Sequence, residues 1–175
     1  ENMPVTTEKT RRRHPTPLRM DHRAPPWELT GKTDFPRLFA ALGDFLPDGS
    51  ILYFEGGFPD SRIKKFFEMH SVHSGIRIAG GTTWPKPSLY QLPASPLVLA
   101  ELQAIAETCA EQELAAHFHV HRGGIVLLQW HDAFDQPMLV AGDIAPERVE
   151  GLAKGLGMTL KRHSDPGTPR RDPEP

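Results

Sequence analysis

Hydrophobic and polar positions alternate most regularly between Ala115 and Ala141. Residues 117–121 read His-Phe-His-Val-His. Successive side chains of a strand point to opposite faces, so the three histidines share one face while Phe118 and Val120 share the other. Arg122-Gly123-Gly124 follows, with two residues that tolerate positive φ, and Ile125 to His131 is again rich in large apolar residues, which predicts a hairpin. A two-residue Gly123-Gly124 turn would set His119 against Leu128 and His117 against Trp130, mixing polar and apolar groups on both faces. A three-residue loop, Arg122 to Gly124, sets His121 against Ile125, His119 against Leu127 and His117 against Gln129. It also gathers Ala116, Phe118, Val120, Val126, Leu128 and Trp130 on one face, and a slip of one residue would destroy that separation. The three-residue loop is therefore expected, with His131 on the histidine face, diagonal to His117.

Helical spacing governs the segments on either side. Asp34 caps a predicted helix whose second position is Pro36 and whose inner face carries Leu38, Leu42, Phe45 and Leu46, before Pro47-Asp48-Gly49 ends it. Residues 50–54 form a short apolar strand. Asp60 then opens a helix with Ile63, Phe66, Phe67 and His70 on one stripe. Residues 75–79 and 88–92 are weak strands separated by Gly80-Gly81 and the extended Trp84-Pro85-Lys86-Pro87. Ser95-Pro96 starts a predicted helix over 96–113, with Leu99, Leu102, Ile105, Ala106 and Cys109 inward; this helix is expected to cover the apolar face of the hairpin. A third strand over 138–141 follows Pro137. Pro146 opens a helix carrying Val149, Leu152, Ala153 and Leu156, Gly157 closes it, and residues 158–161 return as a last strand.

Three consecutive antiparallel strands with helices set apart from them predict an α+β fold: an antiparallel sheet containing a three-strand meander over about 115–141, with helices packed on one face. Ordered structure is expected from Trp27 to residue 162 as one domain. Residues 1–26 and 163–175, rich in proline and without periodicity, read as disordered arms.

Charge sharpens this division. Residues 1–26 carry six Lys or Arg against three Asp or Glu, whereas residues 27–160 carry ten against sixteen, although the net charge is only -2. An acidic body opposes nucleic acid as a specific ligand, so Arg11-Arg12-Arg13 is expected to be a solvated tail. One cysteine, Cys109, excludes an intrachain disulfide and a thiolate metal cage, and its place on a helix stripe makes it a core residue rather than a nucleophile. No apolar run is long enough to span a membrane, and a cytoplasmic protein is expected. The Glu55-Gly56-Gly57 stretch lacks the spacing of a phosphate loop, and Asp60 would repel a phosphate there.

The histidine face is the one candidate site. Neighbouring histidines of a strand face lie roughly 6 to 7 Å apart and can share an ion. His117 and His121, roughly 13 Å apart, cannot. A zinc or other divalent transition-metal site would therefore use His117 and His119 with His131. Gln129 would lie nearby, Asp132 or Asp135 would be carboxylate acceptors for a ring N–H, and His121 would be dispensable. Such a site with an open position would serve a metal-dependent enzyme of the hydrolase or oxygenase type. No His-Glu-x-x-His motif and no Gly-x-Ser-x-Gly elbow is present. The plainer expectation takes precedence: a non-catalytic module that binds a protein partner or a second copy of itself, with His121 and Gln129 on an open interaction face.

Overall fold

The computed structural model describes the backbone of residues 16–17, 19–20, 24–58, 60–77, 87–132 and 136–162. Its elements run in the order β1 (Thr16–Pro17), β2 (Arg19–Met20), β3 (Trp27–Thr30), α1 (Phe35–Phe45), β4 (Ile51–Gly56), α2 (Ser61–His70), β5 (Ile76–Arg77), β6 (Ser88–Pro93), α3 (Pro96–Ala106), α4 (Glu111–Leu114), β7 (His117–Arg122), β8 (Ile125–Trp130), β9 (Met138–Val140), α5 (Pro146–Leu156) and β10 (Thr159–Arg162). Seven strands form one antiparallel sheet in the order β10-β3-β9-β8-β7-β4-β6, with β2 added in parallel to β8. The fold is α+β, and the meander β7-β8-β9 lies at its centre.

Two apolar register rows on one face of this sheet explain where the helices sit. Trp27, Val140, Leu128, Val120, Leu52 and Leu92 align across β3 to β6, and Leu29, Met138, Trp130, Phe118, Phe54 and Tyr90 belong to the next row on the same side. Helix α1 covers their centre: the Phe35 and Phe39 rings both lie 6.0 Å from Phe118, and Phe35 also lies 5.6 Å from Trp130. Helices α3 and α5 pack against α1, and Phe67 of α2 meets Phe54 at 4.8 Å. The helix expected to lie on Phe118 and Trp130 was the one starting at Pro96; α1 takes that place because its stripe carries the two phenylalanines.

Local capping follows the sequence. Asp34 accepts from the Arg37 N–H at 2.8 Å, Asp60 from Arg62 at 2.7 Å and Ser95 from Val98 at 3.2 Å, and Gly157 closes α5 at φ 67°. The predicted helix over 96–113 is broken, however. Thr108 Oγ1 donates to the Ile105 carbonyl, ending α3, and the Glu113 carboxylate takes the Ala110 N–H at 2.9 Å, which starts the separate α4. Cys109, between them, is half-buried, and burial raises its thiol pKa, in keeping with an unreactive cysteine.

Two sequence expectations are corrected at the edges of the sheet. Trp27–Thr30, anticipated only as the point where order begins, is a strand between β9 and β10. The arm expected to be unstructured contributes β1, paired with β5, and β2, paired with β8. The rest of that arm up to residue 23, residues 78 and 79 of the weak strand expected over 75–79, and the tail from residue 163 lie outside the described residues. Among the described residues, no helix is long and apolar enough to cross a membrane.

Candidate functional site

The hairpin turn is the two-residue Gly123-Gly124, at φ 58° and 86°, not the three-residue loop. Arg122 pairs with Ile125 and His121 with Val126, but Val120 pairs with Leu128, so Leu127 is an extra residue, a β-bulge. The bulge resolves the conflict that argued against a short turn. Beyond it the register is Val120 with Leu128, His119 with Gln129 and Phe118 with Trp130, which again separates polar from apolar side chains. Val126 is the exception: it lies opposite His121 and outside the main core cluster, while Ile125, expected opposite His121, is 47% exposed. The same shift carries His117 level with His131 instead of Gln129.

On the face away from the helices one register row crosses all seven strands: Lys161, Glu28, Leu139, Gln129, His119, Tyr53 and Gln91. This polar face is not open. His119 is 2% exposed and His121 is 1% exposed. The Gln91 amide fixes His121: its Oε1 accepts from Ser74 Oγ at 2.5 Å and lies 3.0 Å from His121 Nε2, while its Nε2 donates to the Ile76 carbonyl at 2.8 Å. His121 therefore presents no interaction surface, contrary to expectation, because the side chain of Gln91 ties it to the segment before β5. Gln129 is half-buried and lines a cleft instead.

The three histidines proposed as ligands are brought together. The His131 ring centroid lies 4.9 Å from that of His119 and 5.2 Å from that of His117, and the Nδ1 atoms of His117 and His131 are 3.4 Å apart. The turn at Asp132, with φ 42°, aims its backbone N–H at His117 Nδ1 at 3.0 Å. A backbone N–H only donates, so His117 Nδ1 is the acceptor and the neutral ring carries its proton on Nε2. His131 can approach the same atom only as a donor from its own Nδ1, which leaves His131 Nε2 with a free lone pair. Among the described residues, neither ring nitrogen of His119 is hydrogen-bonded, and His121 Nδ1 is likewise without a partner.

All three perturbed histidines are held neutral. Burial first, with His131, His117 and His121 adding to it, lowers the His119 pKa from 6.5 to about 3. Burial lowers that of His121. Desolvation and then His117 lower that of His131, against the opposing pull of Asp132 and Glu55. Neutral imidazole is the form that binds metal.

Beside His131 opens a cleft of about 440 Å³ lined by Glu28, Gln129, His131, Asp132, Gln136, Pro137 and Leu139, a volume within the range of small-molecule sites. Among the described residues no three His, Cys, Asp or Glu side chains already surround one point at metal-binding distance.

Sequence reasoning missed Glu55, which lies directly across from His117 in the β4–β7 pairing. The available signal was a lone carboxylate at the end of an otherwise apolar strand. Asp135 lies outside the described residues. The chain matches no protein-family model, no curated protein and no solved structure.

Proposed function

We propose that the chain binds a divalent transition metal through His117, His119 and His131 and acts, at the adjoining cleft, as a metal-dependent enzyme on a small molecule. The observation that carries this is His119: a side chain 2% exposed, with both ring nitrogens unpartnered, in contact with a second imidazole that has a lone pair to spare. Leaving buried polar groups unpaired costs about 1 to 3 kcal/mol each, and such groups are retained where something else satisfies them. With the His131 proton moved from Nδ1 to Nε2, the 3.4 Å between the His117 and His131 Nδ1 atoms would also suit two nitrogens on one tetrahedral zinc, whose bonds are about 2.0 to 2.1 Å. Metal entry there replaces the Asp132 N–H on His117. A metal so placed would lower the pKa of a bound water and supply a nucleophile to the cleft.

The test is elemental analysis of protein purified without chelator, with zinc, nickel and manganese titrated into wild type, His119→Ala and His121→Ala. Stoichiometric metal, lost in His119→Ala and kept in His121→Ala, is expected. Wild type that takes up none of the three metals refutes the proposal. A second proposal, a binding or homodimerising module, now draws support from the sheet edge rather than the histidine face: among the described residues no strand pairs outside β10. Sedimentation velocity decides it, since a protein that stays monomeric at high concentration and captures no partner has no such role.

A further inference from the structure

We infer that residues 16–20 form a releasable strap that closes the polar face of the sheet over His121, a device that needs no metal. Two short strands carry it. β1 pairs in parallel with β5, Thr16 with Ile76 and Pro17 with Arg77, and β2 pairs in parallel with β8, Arg19 with Ile125 and Met20 with Val126. Both anchors converge on one histidine. On the β5 side, Gln91 Nε2 donates to the Ile76 carbonyl at 2.8 Å, and the Oε1 of the same amide lies 3.0 Å from His121 Nε2. On the β8 side, Val126 is the direct cross-strand partner of His121. One residue separates the two anchors in the chain, and the α-carbons of Pro17 and Arg19 are therefore at most about 7 Å apart. The strap makes its step from β5 to β8 at His121.

This end of the polar face needs a cover, since α1 and α2 pack on the opposite, apolar face, yet His121 is only 1% exposed. The cover is lightly held. Each anchor is a two-residue pairing, whereas β4 is paired with β6 over all six of its residues, and segments held by few backbone hydrogen bonds open locally well before the whole fold does. β8 keeps its partners β7 and β9 when β2 leaves, so the seven-strand sheet survives the release. Charge favours closure, because residues 1–26 carry six Lys or Arg against three Asp or Glu and face a body with ten against sixteen. A ligand that reaches His121 has to displace the strap, which makes the strap an autoinhibitory contact.

Two full-length variants separate the closed and open forms. Arg19→Cys with Ile125→Cys, in a Cys109→Ser background, sets two thiols at a cross-strand pair, where neighbouring strands lie about 4.8 Å apart and a disulfide is within reach. Arg19→Pro with Met20→Pro removes both N–H groups that β2 can donate to β8. The readout is the rate at which diethyl pyrocarbonate acylates His121 in metal-free protein, resolved by mass spectrometry, with the exposed His73 as reference. Relative to His73, His121 should react at least about 10-fold faster in the proline variant than in wild type, and at least about 10-fold slower in the oxidised cysteine variant than in the same protein reduced, because local opening governs access. An unchanged rate in either comparison would overturn the strap. Loss of the cooperative unfolding transition in the proline variant would overturn it as well, by showing that residues 16–20 belong to the fold rather than close over it. Covalent dimers on oxidation would do the same, since the strand would then come from a second copy.

Discussion

Acidification should destabilise the metal-free protein through His119, and the size of the effect follows from its burial. In the unfolded chain the imidazole titrates near 6.5, whereas in the folded protein burial and the adjacent imidazoles lower its pKa to about 3. Between these values the unfolded state holds a proton that the folded state does not. Stability is therefore complete above about pH 6.5 and falls as the pH drops toward 3, with a limiting slope of roughly 1.4 kcal/mol per pH unit. From pH 6.5 to pH 5 the loss attributable to this residue is about 2 kcal/mol as a ceiling. The perturbation that isolates it is His119→Leu, which replaces the ring by an apolar side chain of similar size next to Tyr53 and His131. Urea unfolding of both proteins in EDTA at pH 7, 6 and 5 gives the difference directly, because every other titrating group cancels to first order. Wild type should lose about 2 kcal/mol more than the variant over that interval. His119→Leu should be no less stable than wild type at pH 5, where no proton and no unpaired nitrogen has to be buried. Parallel pH dependences would show that His119 is protonated or hydrated in the folded state, and the account of the site as a set of neutral, unsatisfied imidazoles would fail.

Two further substitutions test the frame that holds the site. Phe118→Ala removes a fully buried ring that meets Phe35, Phe39 and Phe54, and a loss of about 3 to 5 kcal/mol is expected in equilibrium unfolding; a loss below 1 kcal/mol would mean that α1 does not sit on this part of the sheet. Gly142→Ala places a Cβ against the backbone carbonyls of Ala24 and Pro25, which has to shift rigid chain, so a loss of about 1 to 3 kcal/mol is expected by the same measurement, whereas Gly151→Ala on the open side of α5 meets nothing within 4 Å and should be neutral or stabilising.

The two faces of the sheet divide the protein's physical tasks. One carries the apolar rows on which, among the described residues, α1 and α2 pack. The other is lined by polar side chains whose needs are met unevenly. Gln91 is fully engaged, Glu28 is bridged to Lys161 at 2.9 Å, and His119 is left unsatisfied. That unevenness, more than the number of histidines, singles out the patch around residues 55, 117, 119 and 131.

Local sequence determined the elements and their inner faces. Alternation over 117–121 was enough to put Phe118 and Val120 in the core and the histidines together, and Asp34, Asp60, Ser95 and Gly157 marked helix ends by hydrogen-bonding rules that operate within a few residues. The α+β class and the central meander followed from the order of those elements. The hairpin register did not, because two local rules disagreed. The Gly-Gly pair favoured a two-residue turn, and the apolar pattern favoured an even offset. The conflict is settled by a bulge at Leu127, a choice made by how the whole strand packs against β7 and the core. The trio of His117, His119 and His131 was legible because side-chain direction survives a two-residue shift of register. The fixing of His121 was not legible, since its partner Gln91, itself held by Ser74 and Ile76, comes from a strand edge distant in the chain. Glu55 escaped notice for the same reason: a single carboxylate carries no pattern, and only the lateral pairing of β4 with β7 brings it to His117.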